Sequence, residues 1–229
     1  VLPMSAFDPM QIPDPHGRKV VFACRSGRRS ANAAIAAQEA GLPEGVLNVV
    51  TTSHSGAVME PLIRDPRARK LSFTGSTAIG RVLVEQSAQQ LLRVSMELGG
   101  NAPFLVFGDA DLDAAVDGAV TAKMRNIGEA CTAANRFLVH ESVADDFSRR
   151  LADRLGALRM GRGTDEGVDV GPLITEKARE GVADLVADAV DNGGKILVGG
   201  EAPDRRGWFY PPTVIADVPV GARVFREEI

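Results

Sequence analysis

The sequence predicts an α/β protein built on a parallel, doubly wound sheet. Three observations predict it. Short apolar runs that suit buried strands alternate with longer segments of helical period. Gly and Pro punctuate the joins between them. Hydrophobic residues make up 45% of the 229 positions and charged residues 24%, the balance of a chain that buries a core.

The elements follow in order. Residues 1–17, rich in Pro and Met and without period, read as loop. Val20-Val21-Phe22-Ala23 suits a strand, and residues 25–30 a turn. Residues 31–40 are Ala-rich and helical, stopped by Gly41 and Pro43. Residues 46–50 read as strand, 53–63 as helix, and 70–73 as strand ended by Thr74-Gly75-Ser76. Residues 78–92 read as helix and 93–96 as strand. After the strand at 101–107, Asp111 and Asp113 place acids in the first turn of a helix running toward Arg125. Residues 135–140 form a strand, 142–158 an amphipathic helix, and Thr175 opens a helix reaching about Val190. Lys195-Ile196-Leu197-Val198 is a strand closed by Gly199-Gly200. Residues 209–215, with two prolines, read as an edge strand or loop.

Charge and cysteines narrow the class. A net charge of −4 gives no support to nucleic-acid binding, and an anionic substrate would need a local basic group. Cys24 and Cys131 are too few and too far apart for a disulfide framework. No run reaches the roughly 18 apolar residues of a membrane span, and no basic-then-apolar leader opens the chain. The expected location is therefore the cytoplasm, with no membrane partner. The chain begins at Val1 rather than Met, so the N-terminus reads as incomplete or processed.

Three motifs carry chemistry. Asn126-Ile127-Gly128-Glu129-Ala130-Cys131 places a lone thiol after a glycine. A free thiol has a pKa of about 8.5, and a helix N-terminus or a nest of backbone amides would lower it toward a usable nucleophile. The bland alternative is a small buried hydrophobe. Glu97 precedes Leu98-Gly99-Gly100 at a strand end, where ligands collect in α/β sheets. If burial raises its pKa, this carboxylate can activate water; otherwise it is a solvated acid. Gly75-Ser76 opens a helix, which fits a phosphate seat or a plain N-cap. There is no Gly-x-Gly-x-x-Gly fingerprint, and no metal enters this reading.

These motifs, in this order, resemble the aldehyde dehydrogenase superfamily, most closely its succinate-semialdehyde dehydrogenase branch. The resemblance covers about residues 41–229. It implies part of a parallel, Rossmann-like cofactor domain over 1–98, then part of an α/β catalytic domain over 99–229. It implies Cys131 as nucleophile, Glu97 as general base, and cofactor contacts at Gly75, Ser76 and Leu98. Glu228, in Arg226-Glu227-Glu228-Ile229, matches the acid that holds the nicotinamide ribose. Lys123-Met124-Arg125-Asn126 is similar to the branch's Lys-Phe-Arg-Asn run, whose arginine binds the substrate's distal carboxylate. A plain surface arginine is the alternative. Ala133 stands where some branch members have a second cysteine, so that loop offers no redox pair.

The implied reaction is oxidation of an aldehyde, succinate semialdehyde foremost, to its acid with NAD or NADP, through a thiohemiacetal and a thioester. The implied partner is a small aldehyde, and the family assembles as homo-oligomers. Against the family pattern, the chain lacks the segment whose asparagine completes the oxyanion hole and the lysine that binds the adenosine ribose. It stops just past Glu228, so impaired turnover is expected.

Val20-Val21-Phe22-Ala23-Cys24-Arg25-Ser26-Gly27-Arg28-Arg29 resembles the active loop of a rhodanese-like sulfurtransferase. There Cys24 would carry a persulfide, held by backbone amides and arginines. The two resemblances meet near Ala40-Gly41-Leu42-Pro43. Two rival readings therefore stand beside the dehydrogenase: a sulfurtransferase working through Cys24, and an inactive fragment that binds a nucleotide or a partner.

Overall fold

A computed structural model describes residues 20, 21, 32, 35, 36, 38–43 and 45–229. Cys24 and its loop lie outside the described residues. The chain divides into two compact units, 1–71 with 86–93, and 72–85 with 94–229.

In the first unit, β1 (Val20–Val21) pairs in parallel with β2 (Leu47–Asn48), Val20 opposite Leu47. Parallel pairing needs a crossover between the strands, and residues 35, 36, 38 and 39 are helical there. Gly41, at φ +89°, turns the chain back; this left-handed value favours a residue without Cβ. α1 (Ser55–Arg64) contains Pro61 and buries Ile63, and Leu47 and Leu71 are buried too. The helix expected over 78–92 is α2 (Thr77–Ala88), four residues shorter at its C-terminal end. The cause is a left-handed residue, Leu91 at φ +49°, followed by a hydrogen bond from the Leu92 N–H to the Ser87 carbonyl. That pattern is a Schellman stop made without glycine.

Just beyond α1, Asp65 accepts from the Arg67 side chain and backbone, which holds its carboxyl near pH 2. A lowered carboxylate pKa stabilises the fold above the unfolded value and loses that contribution as pH falls toward 2. Arg67→Ala, which removes the guanidinium and keeps the backbone donor, is therefore expected to raise the Asp65 titration from about 2 toward 3.8 without fully reaching it, read by NMR of its carboxyl carbon. An unmoved titration would contradict the pairing.

The second unit holds the larger core. β3 (Lys70–Gly75) and β4 (Arg93–Leu98) pair and contribute Ser72–Gly75 and Val94–Leu98 to it. β5 (Ala102–Val106) and β6 (Ala134–Val139) run parallel, Ala102 opposite Ala134 and Pro103 opposite Arg136. Asn135 is thus an extra residue in β6, a β-bulge that re-aims its side chain. Between these strands runs α3 (Leu112–Met124), capped by Asp111, whose side chain accepts from the Asp113 and Ala114 N–H groups. α4 (Ala144–Gly156) follows β6.

Val106, Val116, Ala119, Phe147, Leu151 and Leu155 form the buried core where α3 and α4 meet the sheet. Phe104, Phe137 and Phe147 line up inside it, with ring centroids 5.5 and 6.2 Å apart. This packing fixes the strands whose ends carry the candidate site.

α5 (Glu176–Asp191) is capped by the Thr175 hydroxyl, which accepts from the Ala178 N–H at 3.1 Å. β7 (Lys195–Val198) and β8 (Val214–Ala216) pair antiparallel, in the region read from sequence as an edge strand or loop of the α/β catalytic portion. Their connection has no crossover helix, so the chain turns back beside itself. Pro211 and Pro212 lack backbone donors and confine this strand to Val214–Ala216. Among the described residues, no helix is long and apolar enough to cross a membrane.

Candidate active site

The site grows from the start of the β5–β6 pair. β4 ends on Glu97 and Leu98, the chain turns through Gly99-Gly100-Asn101, and β5 begins. α3 ends at Met124, the Cys131 loop follows, and β6 begins. Because β5 and β6 are parallel and Ala102 faces Ala134, the Gly-Gly turn and the Cys131 loop reach the same end of the sheet. The sequence separates these segments by some thirty residues; the register joins them.

The N-terminus of α2 meets the Gly-Gly turn. Ser76 Oγ accepts from the Ile79 N–H at 3.4 Å, so it caps the helix. Thr77 Oγ1 donates to the Gly99 carbonyl over a long 3.5 Å. Gly80 lets α2 approach β4: a Cβ there would lie 2.5 Å from Leu98 Cδ2. The Phe73 ring likewise lies over Gly75. Gly75, Ser76 and Leu98 are thereby gathered around one helix start, the kind of place where free N–H groups receive phosphate. Glu97 beside them is exposed.

Glu228 completes this cluster. Its carboxylate rests on Gly99, where any Cβ would overlap it. The turn that delivers it is held from several sides. Asn101 Nδ2 donates to the carbonyls of Val224 and Glu227 at 3.1 and 3.2 Å. Arg136 donates through Nε to the Asn101 carbonyl at 2.8 Å and lies over the Phe225 ring. Arg223 pairs with Glu227, which holds that carboxyl below its usual range, and the Arg223 N–H donates to Asp188. Asn101 and Arg136 were not among the residues singled out from sequence. The position of Asn101 directly after Gly-Gly was the available signal.

Cys131 is a free, exposed thiol, not a core cysteine. The Ala133 N–H donates to the Ala130 carbonyl at 2.8 Å, which sets Cys131 in a tight turn rather than at a helix N-terminus. Among the described residues nothing accepts from the Cys131 N–H, which leaves it available to an oxyanion. Upstream, Asn126, Ile127 and Gly128 have φ of 53°, 52° and 87° in succession. A left-handed β-branched residue is an outlier costing on the order of 1–3 kcal/mol, so surrounding contacts must hold the loop. Arg125 opens the same loop with an exposed guanidinium that makes no ion pair among the described residues. No group of three His, Cys, Asp or Glu side chains among the described residues could hold a metal.

Residues 28–229 match the model of the aldehyde dehydrogenase family. A succinate-semialdehyde dehydrogenase of Paenarthrobacter nicotinovorans is 58% identical over 191 residues, 83% of this chain and 42% of that protein. The NADP(+) succinate-semialdehyde dehydrogenase GabD of Escherichia coli K12 is 52% identical over 82% of this chain and 39% of its own length. A glutarate-semialdehyde dehydrogenase of Pseudomonas aeruginosa is 48% identical over 84% of this chain and 40% of its own. Among solved structures, a succinate-semialdehyde dehydrogenase from Burkholderia pseudomallei superposes with a TM-score of 0.84 at 46% identity, covering 92% of this chain and 43% of that one. The chain spans about two-fifths of the length of the curated relatives it matches. With the family match extending over nearly all of its residues, the chain belongs to the aldehyde dehydrogenase family.

Proposed function

We propose that this chain serves the NAD(P)-dependent oxidation of succinate semialdehyde, or a close ω-carboxy aldehyde, to the dicarboxylic acid. The observation that carries this reading is the β5–β6 register, which brings Glu97, Gly99 and Glu228 to the same end of the sheet as Arg125 and Cys131. The names of the relatives favour NADP and a semialdehyde with a distal carboxylate. Residues 1–98 would serve the cofactor side and 99–229 the catalytic side. Cytoplasmic location and homo-oligomeric assembly complete the proposal.

In this reading Cys131 Sγ, as thiolate, bonds to the aldehyde carbon. The Cys131 N–H donates to the resulting oxyanion. NAD(P)+, when bound, would supply the acceptor for the hydride that this carbon loses. Cys131 then carries a thioester, and Glu97 takes a proton from the water that attacks it. The C–S bond breaks, the acid departs and the thiol is restored. The start of α2, Leu98 and Glu228 fit the cofactor through free helix N–H groups and a carboxylate beside a glycine too small to obstruct it.

Arg125 receives the distal carboxylate. A charge-assisted hydrogen bond contributes about 1.5–3 kcal/mol. Arg125→Ala is expected to raise KM for succinate semialdehyde about tenfold or more, with little change for an uncharged aldehyde of similar length. Equal effects on both substrates would remove Arg125 from the site. Because impaired turnover is expected of this chain, the function is tested at its covalent intermediate: no succinyl adduct on Cys131 after mixing with succinate semialdehyde and either cofactor would overturn it.

A further inference from the structure

Lys123 lies in the last turn of α3 and Asn135 at the start of β6, one on each side of the loop that carries Arg125 and Cys131. The Lys123 ammonium donates to Asn135 Oδ1 at 2.5 Å, so the pair closes the neck of that loop. The β-bulge makes this contact possible: Asn135 is the residue without a partner opposite it in β5. The same ammonium lies beneath Gly128. A Cβ at that position would sit 3.0 Å from Lys123 Cε and 3.1 Å from Nζ, so it would push the lysine's end aside by a few tenths of an ångström, and the φ of +87° favours glycine there in any case. Gly128 also ends the left-handed run that starts at Asn126.

Lys123 is half-buried, and among the described residues no carboxylate pairs with it. Burial pushes its ammonium below the ordinary lysine range. A lysine held this way, for one amide acceptor, is an expensive choice for a merely solvated helix end.

We propose that Lys123 and Asn135 are positioning residues for Cys131, forming a clasp across the neck of its loop that keeps the strained turn, and with it the thiol, in one reactive arrangement. The proposal rests on the reading of Cys131 as the nucleophile. Neither residue needs to touch substrate. Lys123 acts through the backbone of Gly128, and Asn135 through Lys123.

The test uses two readouts on the 229-residue chain. One is hydrogen exchange of the backbone amides in 126–134, and the other is the rate of Cys131 alkylation by iodoacetamide near neutral pH, mapped by mass. Lys123→Met keeps the apolar stem and removes the donor; Asn135→Leu removes the acceptor. Each is expected to speed exchange in 126–134 about tenfold and to slow Cys131 alkylation by a similar factor. Exchange in the core of α4 should stay unchanged. The double variant should be no worse than either single variant, because the two changes delete one shared interaction. Asn135→Asp, which keeps an acceptor, should retain wild-type behaviour in both readouts.

Unchanged loop exchange in Lys123→Met, or single effects that add in the double variant, would overturn the clasp. Faster exchange with unaltered alkylation would overturn its role in positioning the thiol. If wild-type Cys131 alkylates no faster than a cysteine in an unfolded peptide, the nucleophile reading fails, and with it this positioning role; the exchange data alone then report whether the neck is closed.

Discussion

Cys131→Ala is expected to abolish aldehyde oxidation, with a loss on the order of 10⁴-fold or more in kcat, while nucleotide binding persists. The thiol is exposed, while the buried contact of its turn is made by Ala133, so its removal leaves no large cavity. Thermal unfolding should therefore stay within about 0.5 kcal/mol of wild type, as for substitutions away from packed sites. Fluorescence quenching by the reduced dinucleotide checks binding, and a steady-state assay checks turnover. Residual oxidation within tenfold of wild type would mean that another group attacks the aldehyde.

Gly99→Ala is the second large effect, and it separates function from stability. An added Cβ would occupy the place where the Glu228 carboxylate rests. The atoms it displaces are the far end of a flexible side chain, and Gly99 has no left-handed φ to forbid alanine. Stability should fall by no more than about 1 kcal/mol. Glu228 must nonetheless leave the Gly-Gly turn and the start of α2. If it grips the nicotinamide ribose, losing a charge-assisted hydrogen bond of about 1.5–3 kcal/mol raises KM for the dinucleotide by about tenfold to a hundredfold. Glu228→Gln should produce an effect of the same kind without the steric change. A normal dinucleotide KM in Gly99→Ala, with the fold intact, would place Glu228 outside the cofactor site.

Much of this site was legible because its signals are local. A glycine before Cys131, Gly-Gly after Glu97 and a hydroxyl opening α2 each act within a turn, and each lies where its motif put it. Long-range contacts left no such trace. The Asn101 clamp on Val224 and Glu227 spans more than a hundred residues, and only the folded chain pairs them. The bulge at Asn135 is equally silent in sequence, because nothing in Ala134-Asn135-Arg136 announces an extra residue. Leu91 hides a helix stop that glycine usually marks. The direction of β8 is silent for a related reason: residues 209–215 read as an edge strand or loop, and alternation predicts parallel strands only where a helix makes the crossover.

If Cys131 is the nucleophile, an acyl group passes through its sulfur. The direct measurement is to mix the protein with succinate semialdehyde and NADP+, quench in acid within the first turnover, digest, and map acyl adducts by mass. The expected result is a succinyl thioester on the peptide that contains Cys131, lost in Cys131→Ala and accumulated in Glu97→Gln, where its hydrolysis slows. An adduct on Cys24 alone, or full turnover with no adduct on Cys131 in the Glu97→Gln protein, would contradict it.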